Sequence, residues 1–137
     1  MKRILIVSGL LFSSLLAISQ KRPYNVVFDV TSNDTSVQRS VLRWVSGILK
    51  ADPSAKLEVV MYGHGIDLVL NDQAYLPDIV KTLAASPQVQ FNVCAVALKA
   101  HNHTTADLLP GVKTVPDGIY EIISRQADGW GYIKVAH

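Results

Sequence analysis

The chain has 137 residues, of which 49% are hydrophobic and 18% are charged. This length and composition indicate one globular domain and exclude a disordered protein. Lys2 and Arg3 are two of the thirteen Lys and Arg side chains, and the other eleven balance the eleven Asp and Glu side chains. No basic cluster follows, which excludes nucleic acid as an expected partner, because neutralising phosphates requires grouped cations.

Residues 1–19 have the features of a secretory signal peptide. Lys2 and Arg3 precede a mostly apolar run over 4–16, and Ala17-Ile18-Ser19 has the small-x-small form of a cleavage site. We expect cleavage after Ser19, a mature domain over 20–137, and a location in a periplasm or outside the cell. An uncleaved anchor is the alternative, but the run is shorter than the roughly 20 residues that span a bilayer, so no stable membrane insertion is expected after leader removal.

The mature chain alternates between strand and helix patterns. Apolar, β-branched runs predict five strands: 24–30, 57–62, 89–93, 112–115 and 130–135. Apolar residues at steps of three and four predict full helices after Asn33-Asp34-Thr35 and over about 75–85. A last helix opens at Pro116-Asp117-Gly118, and its predicted apolar face consists of Ile119, Ile122 and Ile123. This order predicts an α/β fold, a three-layer α/β/α sandwich with a mostly parallel five-stranded sheet.

Candidate site residues lie where the predicted strands end. In an open parallel sheet, ligands bind outside the carboxyl ends of the strands, and segments far apart in sequence meet there. The ends of the first two strands supply these candidates for ligand binding: Asp29, Thr31, Gly63, His64 and Gly65.

Cys94 ends the third predicted strand and is the only cysteine of the chain, so it cannot form an intramolecular disulfide. A helical turn is predicted directly after it, and the unpaired N–H groups of a helix N-terminus favour a thiolate, the nucleophilic form of cysteine. Cys94 is therefore the candidate catalytic residue. The alternative reading is an inert thiol that completes the core, since free cysteines are often buried.

Metal and cofactor motifs are weak in this chain. His101-x-His103 supplies two imidazoles, which do not make a metal site without further ligands, so metal binding there is only a weak alternative. Gly63-x-Gly65 lacks the third glycine of a dinucleotide fingerprint and follows the second strand instead of the first. We predict no cofactor.

Several segments, in this order and spacing, resemble the DsrE/DsrF-like family over nearly all of the mature chain. They are Tyr24–Val30, Gly63–Ile66, Cys94, Asp107–Val112, Val115–Gly118 and Gly129–Lys134. The resemblance implies a small three-layer α/β protein that assembles into dimers, trimers or mixed hexamers. Some members act in sulfur relay, where a cysteine carries sulfur as a persulfide.

For this chain the resemblance implies at most a sulfur-transfer or carrier protein that acts through Cys94, with a thiol- or persulfide-bearing protein as partner. Transfer would be nucleophilic covalent catalysis, related to thiol–disulfide exchange. A non-catalytic binding or assembly module is the alternative, because the mature chain has no net charge and no complete catalytic set.

Overall fold

The computed structural model describes residues 22–136, so the predicted leader lies outside the described residues. Within this part of the chain, five strands alternate with four α-helices: β1 (Asn25–Val30), α1 (Thr35–Ala51), β2 (Lys56–Met61), α2 (Pro77–Ala84), β3 (Val89–Cys94), α3 (Ala95–Ala100), β4 (Lys113–Val115), α4 (Gly118–Ala127) and β5 (Gly131–Val135). Two 3₁₀ helices, Gly63–Val69 and Thr105–Asp107, complete the connections. None of the helices described is long and apolar enough to span a membrane.

The five strands form one sheet in the order β4-β3-β2-β1-β5, and every pair is parallel. The predicted α/β class with a parallel five-stranded sheet is confirmed. The chain builds outward from β1 to β4 and then returns, so that β5 lies on the other side of β1. β1, β2 and β3 are therefore interior strands, and their carboxyl ends form the middle of one sheet edge.

Local side-chain hydrogen bonds fix where the helices begin. The carboxylate of Asp34 accepts a hydrogen bond from the N–H of Ser36 at 2.7 Å, which caps α1. Asp117 caps α4 in the same way, with its carboxylate accepting from the N–H groups of Ile119 and Tyr120. The Thr104 N–H donates to the carboxylate of Asp107 at 2.7 Å, and this reciprocal pair forms a capping box at the second 3₁₀ helix.

One face of the sheet, here called the apolar face, packs against α1 and α2. It presents Val26, Phe28, Val30, Leu57, Val59, Met61, Val89, Phe91 and Val93, all of them buried. The apolar stripes of α1 and α2 complete this core through side chains such as Val41 and Val80. Most of the hydrophobic contribution to folding arises here, at about 1.5–3 kcal/mol for each fully buried large side chain.

The opposite face, here called the polar face, is covered by α4. Its apolar part is small and consists of Val27, Val60 and Ile122. Of the three isoleucines expected on the apolar face of α4, only Ile122 is buried, while Ile119 and Ile123 are 55% and 56% exposed. The expectation fails for these two because α4 meets the sheet through Ile122 and Arg125, and Arg125 contacts the buried Glu58 of β2.

Candidate functional site

Cys94 lies at the carboxyl end of β3 and is the N-cap residue of α3. The residue is only 6% exposed, but it lines an open cavity of about 320 Å³. The walls of this cavity come from Tyr62 and Gly63 after β2, from Val96, Ala97 and His101 in and after α3, and from Asp117 and Ile119 at the start of α4. The cysteine is therefore buried by its neighbours yet borders a space that a small group can enter.

The start of α4 approaches Cys94 closely because Gly118 has no side chain. A Cβ at this position would lie 3.0 Å from the Cβ of Cys94 and 3.2 Å from Cγ1 of Val60. Asp117, beside it, is occupied by capping the helix. α4 thus forms one wall of the cavity and fixes the Cβ of Cys94 from that side.

Tyr62 connects the cavity to a polar cluster on β1 and β5. Its hydroxyl donates to Oδ2 of Asp29 at 3.4 Å, and its ring faces the ammonium of Lys134 at 5.5 Å from the ring centre. Burial raises the pKa of Tyr62, and the negative charge of Asp29 and its hydrogen bond with the hydroxyl add to this effect. Tyr62 is therefore held in its neutral form beside the cysteine.

Asp29 is the acceptor at the centre of this cluster. It is buried, with Oδ2 accepting from the hydroxyl of Tyr132 at 2.7 Å and Oδ1 from Nζ of Lys134 at 3.0 Å. Lys134 also donates to Oγ1 of Thr31 at 2.8 Å. The hydrogen bond to Asp29, followed by burial, raises the pKa of Tyr132 to about 12. The structure brings the two predicted residues, Asp29 and Thr31, together through Lys134.

Sequence reasoning missed Tyr62, Tyr132 and Lys134 as members of this cluster. Tyr132 and Lys134 are two positions apart on β5, so both project to the side of the sheet that Asp29 occupies. The period-two pattern of β5 indicates that Tyr132 and Lys134 share one face of the sheet. It does not indicate that β5 lies beside β1, where the register pairs Asp29 with Lys134.

The turn Gly63-His64-Gly65 serves the fold as well as the cavity. Gly63 has a φ of +54° and lines the cavity. A Cβ on Gly65 would lie 2.2 Å from the backbone oxygen of Val30, so only glycine lets the 3₁₀ helix cross the end of β1. His64 is exposed, and its ring contacts that of His101 edge to face, with the ring centres 4.9 Å apart. The structure thus adds His101 to the neighbourhood of His64.

His101 and His103 have different neighbours. His101 contacts His64 and lines the Cys94 cavity, whereas Nδ1 of His103 lies 3.6 Å from Oδ2 of Asp107. The capping hydrogen bond from Thr104, and then the proximity of His103, lower the pKa of Asp107. Across residues 22–136, no three His, Cys, Asp or Glu side chains are grouped as metal ligands.

The comparisons with known proteins agree with this architecture. The sequence model of the DsrE/DsrF-like family matches residues 25–135, which run from the first residue of β1 to the last of β5. No curated protein matches this chain. Among solved structures, a protein of unknown function from Methanobacterium thermoautotrophicum, MTH1491, is similar with a TM-score of 0.76 and 32% identity, covering 81% of this chain and 98% of its own.

Two more distant structures share the fold. The ychN protein of E. coli has a TM-score of 0.69 at 13% identity and covers 82% of this chain and 98% of its own. A conserved protein of unknown function from Bacteroides thetaiotaomicron, BT1422, has a TM-score of 0.68 at 12% identity and covers 82% of this chain and 95% of its own. The family match over all five strands shows that the chain belongs to the DsrE/DsrF-like family.

Proposed function

We propose that this protein is a small exported carrier of sulfane sulfur, or of thiol redox equivalents, that acts through Cys94. The observation that supports the proposal is the position of the only cysteine, at the carboxyl end of β3 and in the wall of an open cavity. Membership of a family in which some proteins relay sulfur supports it further. The proposal involves no cofactor.

The transfer consists of two substitutions at sulfur. The Cys94 thiolate attacks the outer sulfur of a donor persulfide, a new S–S bond forms, and the donor S–S bond breaks to release the donor thiolate, which takes up the proton that Cys94 lost. The acceptor thiolate then attacks the outer sulfur of the Cys94 persulfide, and Cys94 leaves as a thiolate. The sulfur keeps its oxidation state in both steps, so no external oxidant or reductant is needed.

The cavity supplies one basic side chain for this proton movement. His101 lines the same cavity as Cys94, and a neutral imidazole can accept a thiol proton. Asp117 also lines the cavity but is engaged in capping α4. In this proposal His101 assists the thiol, and Tyr62, which is anchored on Asp29, forms the aromatic wall beside it.

Alkylation and persulfidation of the native protein test the proposal. We expect a neutral maleimide to modify Cys94 without denaturant, and mass spectrometry after exposure to polysulfide to show one added sulfur atom. Cys94→Ser is the matched control and should take up neither. A Cys94 that reacts only after unfolding would contradict the proposal.

A second function, a non-catalytic assembly module, is favoured by the outer surface of α4. Ile119, Tyr120 and Ile123 are exposed side by side on this helix, and Val96 of α3 is exposed beside the same cavity. Exposed apolar groups of this kind mark interaction sites. We propose that a second copy of the chain covers this surface and that the protein is a dimer or trimer.

Light scattering tests the assembly. Ile123→Glu should lower the molar mass to that of a monomer, whereas Ile79→Glu, which changes an exposed isoleucine on α2, should not. A wild-type protein that is monomeric at high concentration would contradict the assembly. If Cys94→Ser abolishes the function in cells while folding and assembly persist, the carrier proposal is favoured over the purely structural one.

We further propose export with cleavage after Ser19, on the pattern of residues 1–19. Amino-terminal sequencing of the protein recovered from the periplasm or the medium tests this. The expected first residue is Gln20. Recovery of the intact amino terminus in the cytoplasm would contradict it.

A further inference from the structure

A second cavity lies at the other end of the sheet, on the polar face. It has a volume of about 310 Å³ and is bordered by Lys56 at the start of β2, Gln88 and Gln90 around the start of β3, and Arg125 and Trp130 at the end of α4 and beyond it. A β-strand of six residues is about 20 Å long, so this cavity is well separated from Cys94. It is independent of the function proposed above.

The polar groups that border this cavity are mainly hydrogen-bond donors. Oε1 of Gln90 accepts from Asn92 at 3.5 Å, and Oε1 of Gln88 accepts from Oγ of Ser86 at 3.3 Å. Within residues 22–136, the amide nitrogens of Gln88 and Gln90 and Nζ of Lys56 have no acceptor of their own. In both glutamines, the side-chain oxygen accepts a hydrogen bond and the side-chain NH₂ group donates none.

Arg125 is held in place on three sides. Its Nε donates to Oε2 of the buried Glu58 and lies 3.1 Å from Oε1 of Glu121. The guanidinium carbon also lies 4.8 Å from the ring centre of Trp130, a cation–π contact. Glu58 in turn accepts from Nδ2 of Asn92 at 2.6 Å. This fixed guanidinium therefore borders the cavity with little rotational freedom to lose on binding.

The charges around the cavity have a defined arrangement. Lys56 and Arg125 border it, whereas none of the described residues that border it is an acid. Glu58 lies behind Arg125 and has no exposure to solvent. Every buried side-chain N or O atom of the described residues has a hydrogen-bond partner, so the unused amide nitrogens of Gln88 and Gln90 are accessible to solvent, as is the exposed Lys56. Amide and ammonium donors without acceptors, beside a guanidinium whose contacts with Glu58 and Glu121 are made through Nε, match the chemistry of an anionic oxygen group.

We propose that this cavity binds a small molecule through a carboxylate, sulfate or phosphate group held by Lys56, Gln88, Gln90 and Arg125. The volume suits a small ligand and is too small for a macromolecule. Parallel sheets usually bind ligands at the opposite edge, so the site is indicated by its unused donors and not by the topology of the fold.

The two tryptophans allow a direct test. The indole N–H signal of Trp130 in an NMR spectrum should shift and saturate as sodium sulfate, sodium phosphate or sodium acetate is added, with sodium chloride at matched ionic strength as the reference. Trp44 of α1, which lines a different cavity together with Phe28 and Ile133, is an internal control and should not follow the same curve. Saturation with sulfate or phosphate identifies a tetrahedral oxyanion site, and saturation with acetate a carboxylate site.

Two variants separate binding at this cavity from general ion effects. Lys56→Ala and Gln90→Leu should each weaken the binding of the saturating anion by about fivefold or more, since each removes one donor. Lys113→Ala, which removes an exposed lysine of β4, should leave it unchanged. The proposal is overturned if no anion gives a saturating shift in the wild-type protein, or if Lys56→Ala and Gln90→Leu, with melting curves like that of the wild type, both bind as tightly as it does.

Discussion

The two faces of the sheet differ in what they bury. The apolar face carries nine buried hydrophobic side chains from β1, β2 and β3 beneath α1 and α2. On the polar face, Val27 and Val60 of the strands are buried under Ile122 of α4, and beside them lie Asp29, Glu58 and Asn92. Cys94 follows Asn92 by two positions on β3, so it belongs to the polar face as well. The apolar face therefore supplies most of the hydrophobic stabilisation, and the polar face carries the ionisable and nucleophilic side chains.

The largest effect is expected on the apolar face. Phe91→Ala should lower the free energy of unfolding by about 3–5 kcal/mol, because it removes a fully buried ring and leaves a cavity. Urea denaturation followed by circular dichroism measures this change. Val59→Ala on the apolar face and Val60→Ala on the polar face remove the same atoms from side chains that are both fully buried, and Val59→Ala should cost more. Equal losses would contradict the division between the two faces.

The next effect concerns the ion pair beneath α4. Arg125→Met should cost roughly 3 kcal/mol, because it leaves the buried Glu58 carboxylate without its cation. Adding Glu58→Met in the same chain should restore much of that loss. Lys81→Met, at the exposed Lys81–Asp78 pair, is the control and should change stability by less than about 0.5 kcal/mol. An Arg125→Met loss as small as that of the control would show that this ion pair does not hold α4.

A dependence on pH should distinguish the polar face further. Burial, the largest influence, raises the pKa of Glu58 above 4.5, while Asn92 and Arg125 oppose the rise. The folded protein then holds this proton more tightly than the unfolded chain does. The wild type should therefore lose stability relative to Glu58→Gln as the pH rises from below 4.5 through the raised pKa. Urea denaturation at several pH values measures the difference, and the opposite slope would mean that Arg125 outweighs burial.

Alanine substitutions at two glycines should change the free energy of unfolding in opposite directions. Gly47→Ala, on an open part of α1 with no atom within 4 Å of the new methyl group, should raise stability by up to about 1 kcal/mol. Gly118→Ala should lower it by roughly 1 kcal/mol, because the methyl group meets Cys94 and Val60 at 3.0 and 3.2 Å. Thermal denaturation measures both. A stabilising Gly118→Ala would mean that α4 can move away from Cys94 at little cost.

The smallest effect on stability is expected at Tyr132, where titration gives the clearer result. Its phenolate absorbance should appear with a midpoint near pH 12, and Asp29→Asn should bring the midpoint back toward the ordinary value of 10.0. Tyr132→Phe assigns the midpoint, because it removes the contribution of Tyr132 from the same spectrum. An unchanged midpoint in Asp29→Asn would remove Asp29 as the cause.

The apolar face could be predicted from sequence because its strands are continuous β-branched runs and its helices have clear stripes. The strands and helices lie within a few residues of their expected positions, and Asp34, Thr104 and Asp117 begin helices as their side chains indicate. The order of strands in the sheet was not predictable, because alternation tells which face a residue occupies but not which strand lies beside it.

The polar face was harder to predict for the same reason. Its stabilising contacts join residues far apart in the chain, such as Arg125 with Glu58 and Tyr132 with Asp29. Ile119 and Ile123 were expected to be buried with Ile122, yet they point away from a sheet surface that Arg125 occupies instead. Cys94 was identified by being the only cysteine and by ending a strand, and its reactivity stays a prediction.

The position of β5, beside β1 at the edge of the sheet, affects when the chain can fold. Lys134 of β5 donates a hydrogen bond to Asp29 of β1 across a separation of 105 positions, so synthesis must pass Lys134 before this half of the sheet can close. Contacts of such long sequence separation form slowly, because a large loop must be ordered first. A chain truncated before Gly131 would therefore leave β1 with a bare flank, open to pairing with other molecules.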